Sequence, residues 1–499
     1  MRVAAAFACG LAVLAGLSSG PRAAFGQPTL PPSSTAQPPG AQSTTPSSTP
    51  RRAGTMTGAA AAAAIVGRVL TLDEAIVIAL ETQPQIVARL YDYAAARFRV
   101  DQALSPLLPQ LTGNVSTSRS FTSAGTARST VSATPFSGVF TDPVTGTPQT
   151  FTGTTTTTGR TAADVTRGFD ETFVARVSLS QLLFDFGKNF ASVDAQRKLA
   201  EVALEDVELQ RQLITLTVKE AYTNILFAQR LIRVNEQALQ RAELNLRSAR
   251  GFFEVGTRPR SDVTRAEVDV ANARLDNIRA ANSERLARVA LNTAMGIPAD
   301  TPTQIVDNLV YSTVTVDRAQ LLPEALRQRP EFRQAKLRVE TAESLARRSF
   351  RDFFPDLTGT GSYGGVRPEL NETWELTFQF TWQIFDGGNR IARYREARAN
   401  VDAAHARVKA AELDISRDVE QAQLTLTEAD ERIQAAQVAV ASAQENFRLA
   451  QGRFDAGVGT ILELTDAQLA LTLAQNTEAQ ALADFRIALA RLERALGRR

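Results

Sequence analysis

The thirteen residues from Thr373 to Phe385 read T-W-E-L-T-F-Q-F-T-W-Q-I-F. Trp374, Leu376, Phe378, Phe380, Trp382 and Ile384 share one parity; Thr373, Glu375, Thr377, Gln379, Thr381 and Gln383 share the other. Such alternation is the period-2 signature of a strand with one apolar and one polar face. The chain's two tryptophans lie on the apolar face, eight residues apart. At about 3.3 Å per residue that is ~26 Å, close to the ~25 Å apolar band of a membrane β-barrel with its aromatic girdles. A sandwich strand would alternate too, but the chain lacks the other long strands a sandwich needs. The stretch reads as a lipid-facing barrel strand, with Trp374, Trp382, Phe378 and Phe380 as its girdle.

Met1-Arg2, an apolar run from Val3 to Leu17 and a small-residue region ending Ala24-Phe25-Gly26 predict a signal peptide over residues 1–26. The apolar run is short for a membrane anchor. Cys9, the single cysteine, falls inside it, so the mature chain is expected to have no disulfide and no thiolate chemistry. No later stretch reaches the ~18 continuous apolar residues of a transmembrane helix, which leaves strands as the route into a membrane. The 55 basic and 53 acidic residues are interspersed and net +2, which argues against a nucleic-acid partner. Residues 27–67, rich in Pro, Ser, Thr and Ala, read as a disordered linker.

Leu70-Thr71-Leu72-Asp73-Glu74-Ala75 opens a helix with Thr71 as N-cap and Glu74 at the capping-box position. It is expected to run to about Leu104 with a kink at Pro84. Strands are predicted at about 110–118 and 171–184, with the Ser-, Thr- and Gly-rich stretch Thr112–Gly168 between them as a long loop or loose hairpin tip. A second helix runs from about Lys188 to Arg250 and a third from about Asp262 to Met295, closed by Gly296. The pattern then recurs. Phe385-Asp386-Gly387-Gly388 matches Phe184-Asp185-Phe186-Gly187 at an offset of 201, as Gly452-Arg453-Phe454-Asp455-Ala456-Gly457 matches Gly251-Phe252-Phe253-Glu254-Val255-Gly256. This is a tandem duplication: a first repeat over 68–298, a connector over 299–318, and a second repeat over 319–499 with strands at about 356–364 and 373–385.

In each repeat the two shorter helices together match the long one and can stack beside it as a two-helix-wide wall. Ala422, Ala429, Ala436, Ala443 and Ala450 alternate with Leu426, Ile433, Val440, Phe447 and Phe454 in a seven-residue seam. Val438, Ala439 and Ala441 add a second small-residue flank. Four strands cannot close a membrane barrel, and open edges are not tolerated in lipid. Two chains would give a helical bore that side chains fill; three give twelve strands, twelve helix columns and a pore. The fold class is therefore mainly α with a membrane β-barrel portion, assembled as a trimer with coaxial barrels.

Enzymatic signatures are absent in context. Gly359-Thr360-Gly361-Ser362-Tyr363-Gly364 fits G-x-G-x-x-G but falls in a strand, with no helix following the glycines. Asp185-Phe186-Gly187 lacks the other kinase motifs. His405, the single histidine, has no cysteine nearby. No catalytic, cofactor or metal site is expected.

The opening Leu70–Ala75, the Leu107-Leu108-Pro109-Gln110-Leu111 lead into the first strand, the paired Phe-Asp-x-Gly turns and the two tips resemble the TolC-like family of outer-membrane efflux and secretion channels. The tips are Phe253-Glu254-Val255-Gly256-Thr257 with Asp262-Val263, and Phe454-Asp455-Ala456-Gly457 with Glu463-Leu464. The resemblance covers about Val69 to Arg499. It implies a homotrimer with a twelve-stranded barrel in the bacterial outer membrane, a periplasmic α-helical tunnel, and docking of a periplasmic adaptor and inner-membrane pump at Gly256, Thr257, Arg258, Gly457, Val458 and Gly459. It also implies passive exit from periplasm to exterior, for efflux or type I secretion. Relatives can lock the closed end with a base two positions past the second tip's glycine; here that position is Gly459, and Arg258 and Arg260 lie in the first tip. Glu463 and Asp466 share a helical face. Helix-terminus charge compensation explains either alone, whereas the resemblance places them at the periplasmic tip, where relatives narrow the tunnel with acidic residues; they are expected to form a cation-selective entrance, with Asp262 on the neighbouring tip contributing to closure. The competing reading is a periplasmic coiled-coil adaptor or structural protein without a pore, which needs no lipid-facing strand.

Overall fold

The computed structural model describes residues 58–126, 129–141, 148–160, 164–311, 317–367 and 371–498. The segment assigned to a signal peptide and most of that assigned to a linker lie outside the described residues. The end of the linker assignment needs correction. Gly58–Ile65 forms helix α1, because its alanine run has the highest helix propensity. Ala61 and Ile65 join a buried core.

The first repeat continues with β1 (Val69–Leu70), α2 (Leu72–Thr82), α3 (Pro84–Leu104), β2 (Gln110–Thr126), β3 (Ser129–Thr141), β4 (Pro148–Arg160), β5 (Asp164–Phe184), α4 (Lys188–Glu254) and α5 (Arg260–Met295). After β6 (Gln304–Ile305), the second repeat supplies α6 (Arg318–Gln328), α7 (Pro330–Arg351), β7 (Asp356–Arg367), β8 (Asn371–Thr381), α8 (Asn389–Asp455) and α9 (Ile461–Leu496). The capping box at Thr71 and Glu74 starts α2. The helix expected to run to Leu104 is broken rather than kinked. Gln83 is extended (φ −68°, ψ 118°) and Pro84 begins α3, since a proline disfavours helical geometry in the residue before it. Arg329 and Pro330 repeat the arrangement between α6 and α7.

The stretch Thr112–Gly168 is not a loop between short strands. β2 and β5 pair from Gln110↔Ser180 to Thr126↔Asp164, and β3 pairs with β4 as a hairpin of its own. Threonine is β-branched and favours strands even where neither face is apolar, so polarity alone misleads there. The last strand errs the other way. β8 ends at Thr381, which pairs with Asp356, the first residue of β7. Trp382, Ile384 and Phe385 lie beyond it.

The four-stranded sheet runs β2-β5-β7-β8, antiparallel throughout. Directly opposed residues share a face, so the register shows what each face carries. Gly113↔Val177↔Tyr363↔Trp374 and Leu111↔Leu179↔Gly361↔Leu376 line up on one face, and the row Val115↔Ala175↔Gly365 beside them ends at Glu372. The intervening rows, such as Thr112↔Ser178↔Ser362↔Glu375, are polar. The glycines of the G-x-G-x-x-G pattern lie in β7. A Cβ at Gly364 would come within 2.4 Å of the Ala175 carbonyl oxygen, so close backbone approach accounts for that glycine.

The long helices α4 and α8 have 67 residues each, about 100 Å at 1.5 Å per residue. Near the sheet, packing follows α3-α4-α7-α8, the order of the strands; beyond it, α5 lies on α4, α9 on both α4 and α8. The Phe-Asp-x-Gly turns join strand to helix. Asp185 accepts hydrogen bonds from the Gly187 and Asn189 amides at 2.9 and 2.7 Å, and Asp386 from those of Gly388 and Arg390 at 3.1 and 3.0 Å. Each carboxylate satisfies amides that a helix start leaves open, while the glycine takes the left-handed turn (φ 81° and 87°). Between the two helical layers β1 pairs parallel with β6, and the fully buried Tyr222 of α4 donates its hydroxyl to Leu70 and Val306 carbonyls. Among the described residues no helix is long and apolar enough to cross a membrane.

Candidate functional site

The two helical tips, far from the sheet along α4 and α8, carry the residues singled out by sequence. In the first, α4 ends at Glu254, Gly256 turns left-handed (φ 75°), and the Thr257 amide and hydroxyl both donate to the Phe252 carbonyl. In the second, Gly457 (φ 79°) turns, and the Val458 and Gly459 amides donate to Arg453. Thr460 then caps α9, accepting from the Glu463 amide at 3.2 Å. Phe454, Ile461 and Leu464 are buried here, with Phe252 and Phe447 packed against them. Burying each large apolar side chain contributes about 1.5–3 kcal/mol, so this small cluster is what fixes one tip against the other.

Arg258 completes the junction. Its guanidinium carbon sits 4.4 Å from the Phe454 ring centroid and 5.8 Å from that of Phe252. Nη2 donates to the Gly459 carbonyl at 2.7 Å, and Nη1 lies 3.6 Å from Asp262 Oδ2. The base of the first tip thus holds the backbone of the second at the very glycine where a base was sought. Farther along, Thr465 donates to Asp269 at 3.1 Å and Asn245 to Gln468 at 2.7 Å. Arg241, which donates to Gln475, is half-buried, and that partial burial pushes its pKa down from the ordinary arginine value.

The three carboxylates expected at a gate have different surroundings. Asp262 is drawn into the Arg258 clamp at 16% side-chain exposure. Glu463 lies 3.5 Å from Arg453 in a half-exposed pair. Asp466 is exposed on the same face of α9. Of the positions expected to dock an adaptor, Val458 is 72% exposed. Sequence reasoning passed over Arg453, Phe252 and the Thr465–Asp269 link, although the offset that aligns Arg258 with Gly459 was available to find the clamp. Among the described residues no cluster could hold a metal ion.

At the other end, Trp374, Phe378 and Phe380 are 80%, 65% and 65% exposed, a contiguous apolar stripe of the kind that marks an interaction or membrane surface. Trp382, just past β8, donates its indole N–H to the Phe353 carbonyl at 3.2 Å, so its polar edge is satisfied within the chain while its ring stays exposed.

The sequence profile of the family described as "Outer membrane efflux protein" matches residues 75–297 and 321–498, more than half of the chain. The chain is 24% identical over 313 residues to the probable efflux pump outer membrane protein TtgC of Pseudomonas putida, a match covering 60% of this chain and 64% of that protein. It is 25% identical over 414 residues to the alkaline protease secretion protein AprF of Pseudomonas aeruginosa, covering 78% and 76%. The fold is that of the outer membrane protein VceC of Vibrio cholerae, with a TM-score of 0.65 over 85% of this chain and 96% of that one at 18% identity. The chain belongs to the outer membrane efflux protein family.

Proposed function

We propose that this chain is the outer-membrane duct of a tripartite efflux or type I secretion system, a passive exit path from periplasm to exterior. The observation that carries the proposal is the register of β2-β5-β7-β8: the rows Gly113↔Val177↔Tyr363↔Trp374, Leu111↔Leu179↔Gly361↔Leu376 and Phe184↔Leu357↔Phe380 put an apolar band on one face, the row between the first two is polar on the other, and β2 and β8 are left as edges. In lipid such edges must be paired, and closure by three chains gives twelve strands with a wet lumen. The helices repeat the strand order, so a neighbour that meets β8 with its β2 also meets α8 with its α3. The exposed flank of α8 at Val438 and its adjacent alanines is the surface offered to that neighbour. TtgC and AprF carry efflux and secretion in their names, which supports cargo handed over by an inner-membrane pump through a periplasmic adaptor. That adaptor meets the tips at Gly256, Thr257, Arg258, Gly457, Val458 and Gly459, with Glu463, Asp466 and Asp262 as the gate. A conduit of this kind performs no covalent chemistry.

The test is assembly and conductance together. Solubilised in detergent, the protein should have the mass of a trimer and form ion-conducting channels in planar bilayers. A monodisperse monomer with full β content overturns the proposal.

A further inference from the structure

The seam between α7 and α8 has two unlike sides. One side carries Arg348 and Arg393 beside Asp356, Thr381 and Gln383, residues continuous with the polar face of β8. The other opens as a groove of about 790 Å³, within the range of small-molecule sites. Its end nearest the sheet is aromatic. Phe186 stacks on Phe354 at 5.1 Å, Phe184 meets Phe186 edge-on at 4.7 Å, and Phe350 lies 5.8 Å from Tyr394. Phe184 pairs with Leu357, which pairs with Phe380 of the exposed stripe, so this aromatic wall continues the apolar face of the sheet.

Charge is graded along the same groove. α7 runs toward the sheet and α8 away from it, so Arg351, Arg347 and Arg398 lie on the near side, while Glu343 and Asp402 lie about a turn farther out. Arg347 is held by Asp194 at 3.0 Å. Arg351 donates one N–H to the neutral Gly187 carbonyl at 2.7 Å, and among the described residues no carboxylate pairs with it. Arg398 is exposed. The headgroup layer of a bilayer begins where its apolar band ends and is ~5–8 Å deep. Phe186 follows the end of β5 by two residues, and Arg351 precedes Phe354 by three; both fall within that layer or the reach of an arginine side chain.

We propose that this groove binds an anionic phospholipid of the leaflet on the helical side, its phosphate taken by Arg351 and Arg398 and its glycerol and upper acyl chains laid over Phe186, Phe354 and Tyr394. Aromatic continuity with the lipid-facing stripe selects a lipid over a free anion, and two guanidiniums lining one groove suit the oxygens of a phosphate. The site rests on the membrane-barrel reading above. It would seat each protomer at a fixed depth through a specific headgroup rather than through the girdle alone.

The test uses the full chain in nanodiscs of phosphatidylglycerol or phosphatidylcholine, followed by transfer to detergent and native mass spectrometry. The wild type should retain phosphatidylglycerol about tenfold more than phosphatidylcholine, the effect of one charge-assisted hydrogen bond. Arg398→Glu should abolish that preference, and Arg393→Glu on the opposite side of the seam should keep it. Equal retention of both lipids, an unaltered Arg398→Glu, or equal loss in Arg393→Glu overturns the site. Insertion is scored separately by flotation with liposomes, so failure to enter a bilayer sinks the barrel reading, whereas insertion without selectivity sinks only the groove.

Discussion

Arg258 donates from Nη2 to the Gly459 carbonyl at 2.7 Å, and the two residues, 201 apart, occupy equivalent positions in the two repeats. The duplication therefore carries a clamp in asymmetric form, with the base in one copy and the acceptor in the other. A Cβ at Gly459 would press on Arg453 and the Phe454 amide at 3.0 Å, which explains why the second copy has no side chain to offer. The charged hydrogen bond and the ring contact together contribute about 2–4 kcal/mol. Under the channel reading, Arg258→Ala should raise the opening frequency of the unpartnered protein in bilayers while leaving its trimer intact. Opening statistics identical to wild type would show that the buried phenylalanines alone hold the tips.

Two glycines of the sheet should respond in opposite ways to the same change. A Cβ at Gly364 would meet the Ala175 carbonyl oxygen at 2.4 Å and the Arg176 Cα at 2.9 Å, whereas one at Gly113 would meet nothing within 4 Å. Gly364→Ala should force the β5–β7 backbones apart and cost about 1–3 kcal/mol, as overpacking does. Gly113→Ala should be nearly silent. Heat-modifiable migration on gels, which tracks intact barrel structure, distinguishes them. Equal behaviour would mean that the sheet relaxes freely at Gly364.

The repeat was legible because it lies in turns and helix ends, where Gly, Asp and Pro have few alternatives. Asp185 and Asp386 cap their helices, and α8 begins at Asn389 as α4 begins at Lys188. Strand extent was less legible. The Thr-rich β3–β4 hairpin has no apolar periodicity to announce it, and β8 stops at Thr381 because β7 has no residue left to pair. The clamp was hidden for a different reason. Asp262, four residues on, leaves a charge partner for Arg258 in the sequence, but the contacts that join the two tips run to a backbone carbonyl and an aromatic face, which leave none.

The α4–α7 seam should lose stability in acid. Ser344 donates to Asp194 at 2.6 Å. That hydrogen bond, helped by Arg347 and opposed by partial burial, holds the carboxyl below its ordinary 3.8. With a depressed folded pKa the contribution is complete above the unfolded value and disappears as pH falls through the folded one. Ser344→Ala should return Asp194 toward its ordinary value. The stability gap between variant and wild type should be widest above about pH 5 and close in stronger acid, which urea unfolding at a series of pH values would measure. A gap independent of pH would assign the effect to the second hydrogen bond of Ser344, to the Glu340 carbonyl.

The acidic residues of the second tip make the most specific prediction. Under threefold symmetry Glu463 and Asp466 become six carboxylates around one axis, and such a ring in a narrow passage attracts cations and repels anions. The structure distinguishes the two. Glu463 has Arg453 at 3.5 Å, while Asp466 is exposed on the same face. A half-exposed pair of this kind contributes at most ~1 kcal/mol to stability, but its cation offsets the field of Glu463 locally. Asp466→Asn should therefore reduce cation preference more than Glu463→Gln, and the double variant should lose most of it while still forming trimers. Arg453→Gln should move selectivity the other way, toward stronger cation preference. Reversal potentials across a salt gradient in planar bilayers read all four. Unchanged selectivity in the double variant would assign Glu463 and Asp466 to charge compensation at the start of α9 and move the gate elsewhere.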